Sequence, residues 1–193
     1  MLYIRTIDEI RSILGIADTR DDAAITAWAE GLQGRLDAHC QRTMLAEANV
    51  KELHQGGAGM LYLMHYPVEM VSTIEIDGLA VPLPRRMDRV RGRLPGGLHG
   101  WDEGEIAVTL TGGLIKPDGT RAALALEADV QTLKRAFDLQ LNFEWRNRKT
   151  LGISQISQQG ASMQAGTQPS LVIKGMTLLP EVETTIQPLR RML

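Results

Sequence analysis

The chain has 193 residues, of which 44% are hydrophobic and 23% charged, and its formal net charge is -2. This composition is ordinary for a globular protein and argues against a dedicated nucleic-acid-binding domain, which is usually strongly basic. The aromatic content of 4% also argues against a surface on which nucleic-acid bases stack.

Localisation follows from the same residues. The single cysteine, Cys40, cannot form an intrachain disulfide, and charges at Arg5, Asp8 and Glu9 interrupt any signal-peptide core. No stretch reaches the roughly 18 apolar residues of a membrane helix. We therefore expect synthesis in a cytoplasm and no membrane partner.

Two helices are predicted at the N-terminal end. Thr6 and Glu9 have the spacing of a capping box, which predicts a helix over residues 6–14. Asp21 and Asp22 supply negative charge where a second helix would start. Helix 21–41 is supported by apolar residues at helical spacing, namely Ile25, Trp28, Ala29, Leu32 and Leu36.

Strands are predicted between residues 48 and 112. Residues 50–53 and 60–63 flank a glycine-rich segment, which favours a hairpin turn over a phosphate-binding loop because no helix pattern follows. Asp77-Gly78 is a turn signal. Residues 106–111 alternate between apolar and smaller or polar side chains, as a half-buried strand does.

The second half of the chain predicts a long helix, a polar stretch and a short helix. Apolar residues from Leu126 to Leu141 predict a helix over 120–147. Residues 152–170 are rich in Gly, Ser and Gln, which favours a flexible arm. A short helix starts at Pro180 and is limited by Pro188. The prediction is an α+β protein with a core at 1–148 and an arm and anchor at 149–193.

No constellation of residues predicts catalysis or a cofactor. Cys40 lies near the C-terminal end of the second predicted helix, where the helix dipole disfavours a thiolate. The four histidines lack the paired spacing of metal ligands. We therefore interpret the chain as non-enzymatic, with no catalytic, cofactor or metal site.

One charged segment has two open interpretations. Five arginines lie within nine residues, namely Arg85, Arg86, Arg89, Arg91 and Arg93. They could face a polyanion, as in a nucleic-acid-binding packaging or regulatory module. They could instead be solvated, or pair with acidic groups on a neighbouring subunit.

The order of these elements resembles the head-tail connector (adaptor, or head completion) family of tailed bacteriophages. The motifs are the acidic helix start through Arg42-Thr43, the Tyr66-Pro67-Val68 run, and the strand closing on Asp77-Gly78. The strand ending in Thr111-Gly112-Gly113 and the helix opened by Leu179-Pro180 complete the series. The resemblance spans nearly the whole chain, although the segment from Arg85 to Arg93 matches no feature of the family.

The resemblance implies a structural subunit of the virion neck, made in the host cytoplasm. Subunits would form a ring, expected to be a dodecamer, which docks on the portal protein and joins a downstream neck or tail protein. DNA would pass through the ring without sequence-specific binding.

Family members commonly contact the portal through the C-terminal segment. In this chain the corresponding residues are Leu178, Leu179, Val182, Ile186, Leu189, Arg190 and Arg191. Because the polar stretch before them offers little to a core, truncation after Arg148 is expected to leave the core folded and abolish portal attachment.

Overall fold

A four-stranded antiparallel sheet, a pair of short strands and four helices form the part of the chain that the structure describes. The structure is a computed structural model, and it describes residues 1–84, 86–96, 100–147 and 177–190. Its elements are α1 (Ile7–Leu14), α2 (Asp22–Cys40), β1 (Glu47–Gln55), β2 (Met60–Tyr62), β3 (Val68–Ile76), β4 (Leu79–Val81), β5 (Arg93–Pro95), β6 (Glu105–Gly112), α3 (Glu127–Arg146), α4 (Pro180–Ile186) and a 3-10 turn (Gln187–Leu189). The predicted α+β class is confirmed.

Both N-terminal helices form close to their predicted positions. The capping box is present, because Thr6 Oγ1 accepts from Glu9 N at 3.3 Å while Glu9 Oε2 accepts from Thr6 N at 2.8 Å. Gly15 ends α1 in the left-handed conformation, with a φ of 68°. On α2 the predicted apolar stripe is buried except at Trp28, which is only partly buried at the edge of the core.

The main sheet has the strand order β1-β6-β3-β4, and all its neighbouring strands are antiparallel. Strand β6 lies inside the sheet, and its Ile106, Val108 and Leu110 side chains are buried. The turn at Asp77-Gly78 joins β3 to β4 as predicted. In this sheet only β3 and β4 are consecutive along the chain, whereas β6 pairs with β1 and β3, which both come much earlier in the sequence.

The predicted hairpin between residues 50–53 and 60–63 is wrong. Strand β1 pairs with β6, while β2 pairs with β5 in a separate two-stranded sheet. The glycine-rich connection bonds to another loop, because Gly56 N donates to Gly104 O at 2.8 Å and Trp101 N donates to Ala58 O at 2.9 Å. A Cβ at Gly56 would lie 1.9 Å from Asp102 O, so this close approach of two backbones requires glycine.

The long helix starts later than predicted, at Glu127 instead of residue 120. The residues before it are held by other backbone bonds, since Ala122 N donates to Leu114 O at 3.0 Å and Lys116 N donates to Thr120 O at 2.8 Å. Leu126 is extended at the helix N-cap. The end of the helix, at Arg146, agrees with the prediction.

Residues 177–190 pack against the helices of the same chain. Val182, Ile186 and Leu189 belong to one hydrophobic core together with residues of α1, α2 and α3. Helix α4 starts at Pro180 and gives way to the 3-10 turn before Pro188, which agrees with the predicted short helix. The predicted flexible stretch at 152–170 lies outside the described residues.

In the described ranges, no helix is both long and apolar enough to cross a membrane.

Candidate functional site

The C-terminal residues predicted to dock on a portal are mostly buried inside the chain. Leu178, Val182, Ile186 and Leu189 are buried, and Leu179 packs partly against the same core. Arg190 is exposed, and Arg191 lies outside the described residues. The apolar members of this set therefore hold the segment on its own core, while docking onto a portal stays a prediction.

Hydrogen bonds hold the residues that precede α4 against α3. Gln140, on α3, is buried, and its Oε1 accepts from Leu179 N at 2.8 Å. Its Nε2 donates to Thr177 O at 3.3 Å and to Glu144 Oε1 at 2.7 Å. One amide side chain thereby satisfies backbone groups that precede α4 and ties the segment to α3.

Glu144 forms a buried polar junction between α2 and α3. Its side chain is 1% exposed and pairs with Arg35, whose Nη2 lies 2.6 Å from Glu144 Oε1. Trp28 Nε1 donates to Glu144 Oε2 at 2.5 Å. Trp28 also meets Trp145 edge to face, with ring centroids 6.2 Å apart. This junction explains why Trp28 stands at the edge of the core.

A second buried carboxylate, Glu52, binds two histidines on the sheet side. It accepts from His65 Nδ1 at 2.7 Å, His54 Nε2 at 3.0 Å, and the backbone N of His65 and Met64 at 2.8 and 2.9 Å. Burial alone would raise the pKa of Glu52, but these hydrogen bonds outweigh burial and hold the pKa far below its usual range. Among the described residues, no group of three or more His, Cys, Asp or Glu side chains is placed so that it could hold a metal ion.

We expect Glu52→Gln to destabilise the protein by about 2–3 kcal/mol at pH 7, because hydrogen bonds to an ionised group are lost. Because the pKa of Glu52 is lower in the folded than in the unfolded state, its ionised carboxylate stabilises the folded state at pH values above the unfolded-state pKa of about 4.3. This contribution is lost progressively as the pH falls from there towards the folded-state pKa. In denaturant melts, the difference in the free energy of unfolding between Glu52→Gln and wild type should therefore become smaller as the pH is lowered from about 5 to about 2.

Glu75→Gln, which changes a half-buried carboxylate bonded to the exposed Lys51, is the matched control. We expect a change of less than about 1 kcal/mol for it. A destabilisation by Glu52→Gln that is constant across the pH range would contradict the assignment of Glu52 as an ionised structural group.

Cys40 is buried, and burial raises the pKa of its thiol to about 11. The thiol is therefore neutral near pH 7. This agrees with the expectation from sequence that a thiolate is disfavoured at Cys40.

The arginine-rich segment connects β4 to β5. Arg86, Arg89 and Arg91 are exposed, Arg93 is half-buried, and Arg85 lies outside the described residues. Arg89 Nη1 donates to a backbone oxygen at 3.3 Å, and the Arg93 guanidinium lies 5.8 Å from the Tyr62 ring centroid.

Two of these arginines line a cleft that the sequence did not predict. The cleft has a volume of about 300 Å³ and brings together Arg42, Arg91, Arg93 and Arg190. These residues come from the end of α2, the arginine-rich segment and the residue after the 3-10 turn. No local motif connects positions so far apart in sequence, so only the fold brings them together.

Arg42 is the buried member of the cleft, with 4% of its surface exposed. Its guanidinium carbon lies 3.4 Å from the Tyr66 ring centroid. Nη1 donates to Leu189 O at 3.5 Å and Nη2 donates to Tyr66 O. Burial lowers the pKa of Arg42, although nearby groups that include Tyr66 and Asp129 partly offset this effect.

No protein-family model and no curated protein matches the chain. Among solved structures, a chain from a structure described as the neck of an empty GTA particle computed with C6 symmetry superimposes with a TM-score of 0.57. The superposition covers 98% of this chain and 91% of that chain. This chain shares the fold of that neck chain.

The two sequences are 16% identical, so the likeness is one of fold. Because the superposition covers nearly the whole chain, it includes the sheet and the helices, and not one common motif alone.

Proposed function

We propose that this chain is a non-enzymatic structural subunit of the neck of a tailed phage or phage-like particle. The shared fold with a neck chain over 98% of this sequence carries the proposal. The buried polar groups support it, because Glu52 and Glu144 are engaged in hydrogen bonds that join elements of the fold.

The subunits form a ring at the head-tail interface of the virion. The neck structure with the shared fold was computed with C6 symmetry. A ring of twelve copies is compatible with this symmetry if each sixth of the ring holds two copies. The ring docks on the portal protein, extends the DNA channel and carries the next neck or tail protein.

The C-terminal segment contacts the portal through its exposed side. Val182, Ile186 and Leu189 hold the segment in place from within, and Glu183 and Gln187 are exposed on its outer surface. The apolar residues predicted for docking thus support the contact without reaching the partner.

Co-sedimentation of the full chain with purified portal rings tests this function. We expect the wild-type chain to bind, and Glu183→Arg to weaken binding at least about tenfold, or about 1.4 kcal/mol. Asp21→Arg is the matched control, since Asp21 is exposed and makes no side-chain capping bond. A wild-type chain that stays in the supernatant at micromolar portal concentrations would overturn the proposal.

A nucleic-acid-binding module is the second candidate, and the exposed Arg86, Arg89 and Arg91 favour it. Such a module would bind duplex DNA with an affinity that falls steeply between 50 and 200 mM salt, by about 10³-fold or more for six phosphate contacts. A neck subunit is expected to show only weak binding in the same titration.

A further inference from the structure

The cleft that contains Arg42 carries an excess of positive charge. Arg42, Arg91, Arg93 and Arg190 line it, and Asp129 is the single acidic residue among the described lining residues. We call this feature the arginine cleft. Guanidinium groups that converge on one cavity raise the local positive potential and attract an anionic group.

Arg42 gives the cleft a buried positive charge whose hydrogen bonds are incomplete. The guanidinium is buried, its hydrogen bonds go to the uncharged backbone oxygens of Tyr66 and Leu189, and Nε has no partner within the described ranges. A buried charge is costly unless it is paired and hydrogen-bonded. Asp129 is one carboxylate for four guanidinium groups, so a further carboxylate in the cleft would balance their charge in the planar geometry that guanidinium groups prefer.

The cleft suits an acidic protein segment better than a phosphate backbone. Apolar side chains line it together with the arginines, and among them Val90 and Leu126 are 53% and 56% exposed. Phosphate contacts make no use of exposed apolar groups, whereas protein interfaces combine an apolar centre with charged groups at the rim. The occupant should therefore carry both carboxylates and an apolar side chain.

This chain presents such a surface at the turn after β3. Asp77, Asp102, Glu103 and Glu105 are exposed there, and Leu79 beside them is 74% exposed. The segments are joined, because Glu105 N donates to Asp77 Oδ1 at 2.9 Å and Asp77 N donates to Glu105 O at 2.9 Å. We call this surface the acidic turn.

The arginine cleft and the acidic turn lie at opposite ends of β3. Tyr66 and Pro67 line the cleft just before β3, and Asp77 follows the last residue of this nine-residue strand. At about 3.3 Å per residue the strand separates the two surfaces by roughly 30 Å. The acidic turn therefore cannot fill the cleft of its own chain.

We propose that the acidic turn of one copy inserts into the arginine cleft of the next copy. Two different, complementary surfaces on one chain make a head-to-tail contact, which closes into a ring when the rotation between copies permits. The inference rests on the proposed ring and names the surfaces that join its subunits. It also gives Arg91 and Arg93 the intersubunit ion pairs that the sequence left open.

Charge reversal tests this contact. One full-length variant reverses the cleft (Arg91→Glu with Arg190→Glu), and a second reverses the acidic turn (Asp102→Lys with Glu103→Lys). We expect each variant alone to self-associate at least about tenfold more weakly than wild type in sedimentation velocity. An equimolar mixture should regain association, because each reversed surface then meets an oppositely charged partner.

The matched control reverses Arg86 and Arg146, which are exposed and do not line the cleft. It should associate like wild type, and circular dichroism melts should show that all variants fold. A mixture of folded variants that fails to regain association overturns the contact, as does a wild type that is monomeric at all concentrations. A DNA affinity that only the cleft reversal abolishes also overturns it, in favour of a phosphate site.

Portal binding separates this inference from the proposed function. If the mixture regains association but no chain binds portal rings, the contact between copies stands and the neck function fails. If wild type binds portal rings but the reversals leave self-association unchanged, the function stands and the contact fails.

Discussion

A chain that ends at Asn147 is expected to lose its cooperative folded state, because the helical core would lose four buried side chains. The truncation removes Leu178, Val182, Ile186 and Leu189, which belong to one hydrophobic core with residues of α1, α2 and α3. Replacing one buried Ile or Leu by Ala costs about 2–5 kcal/mol, and a domain is stable by about 5–15 kcal/mol in total. The expected loss is therefore as large as the stability itself.

Circular dichroism melts of the truncated and full chains check this expectation. Ile186→Ala in the full chain should cost about 2–5 kcal/mol, while Gln187→Ala, next to it but exposed, should cost less than about 0.5 kcal/mol. A truncated chain that unfolds as cooperatively as the full chain would contradict the result. That outcome would restore the expectation from sequence, in which residues after Arg148 are dispensable for the core.

The second large effect is expected for Glu144→Ala, which should destabilise the protein by about 3–5 kcal/mol. The substitution removes the ion pair between Glu144 and Arg35 and the acceptor for Trp28 Nε1. Gln140 Nε2 also loses a bond, so the contact between α3 and the residues before α4 loosens. Denaturant melts give the free energy of unfolding directly.

Two variants make this measurement specific. Glu144→Gln keeps the shape and one acceptor but removes the charge. It should therefore lower the free energy of unfolding, but by less than Glu144→Ala does. Glu181→Ala, on the exposed side of α4, should change stability by less than about 0.5 kcal/mol. Equal losses for Glu144→Ala and Glu181→Ala would mean that the buried junction contributes no specific stability.

Local signals explain which elements could be predicted from sequence. The capping box at Thr6 and Glu9 and the proline at the start of α4 act within a few residues, and both helices begin at or within one residue of the predicted position. The partners of β1 and β2 depend instead on which loop approaches the glycines at 56–59. That information lies some 45 residues away, in the loop at 100–104.

The candidate site shows the same division. The cluster from Arg85 to Arg93 is visible in the sequence as a run of like charges, but Arg42 and Arg190 join two of its members only through the fold. The apolar pattern of α4 shows that the helix must pack on something, and the pattern would be the same for a portal and for its own core. The contacts with α3 decide between these partners for the described chain.

The position of β6 inside the main sheet has a kinetic consequence. The β3–β4 hairpin joins Ile76 to Leu79 and can form within about 1–10 μs. Among the described strands, β1 pairs with β6 alone, and its Gln55 pairs with Glu105, some fifty residues later. Pairing of such distant strands slows folding, because the entropy cost of closing the loop arises before the stabilising contacts can form. During synthesis, β1 is therefore the described strand that remains longest without its partner, and its unpaired edge is open to aggregation in that time.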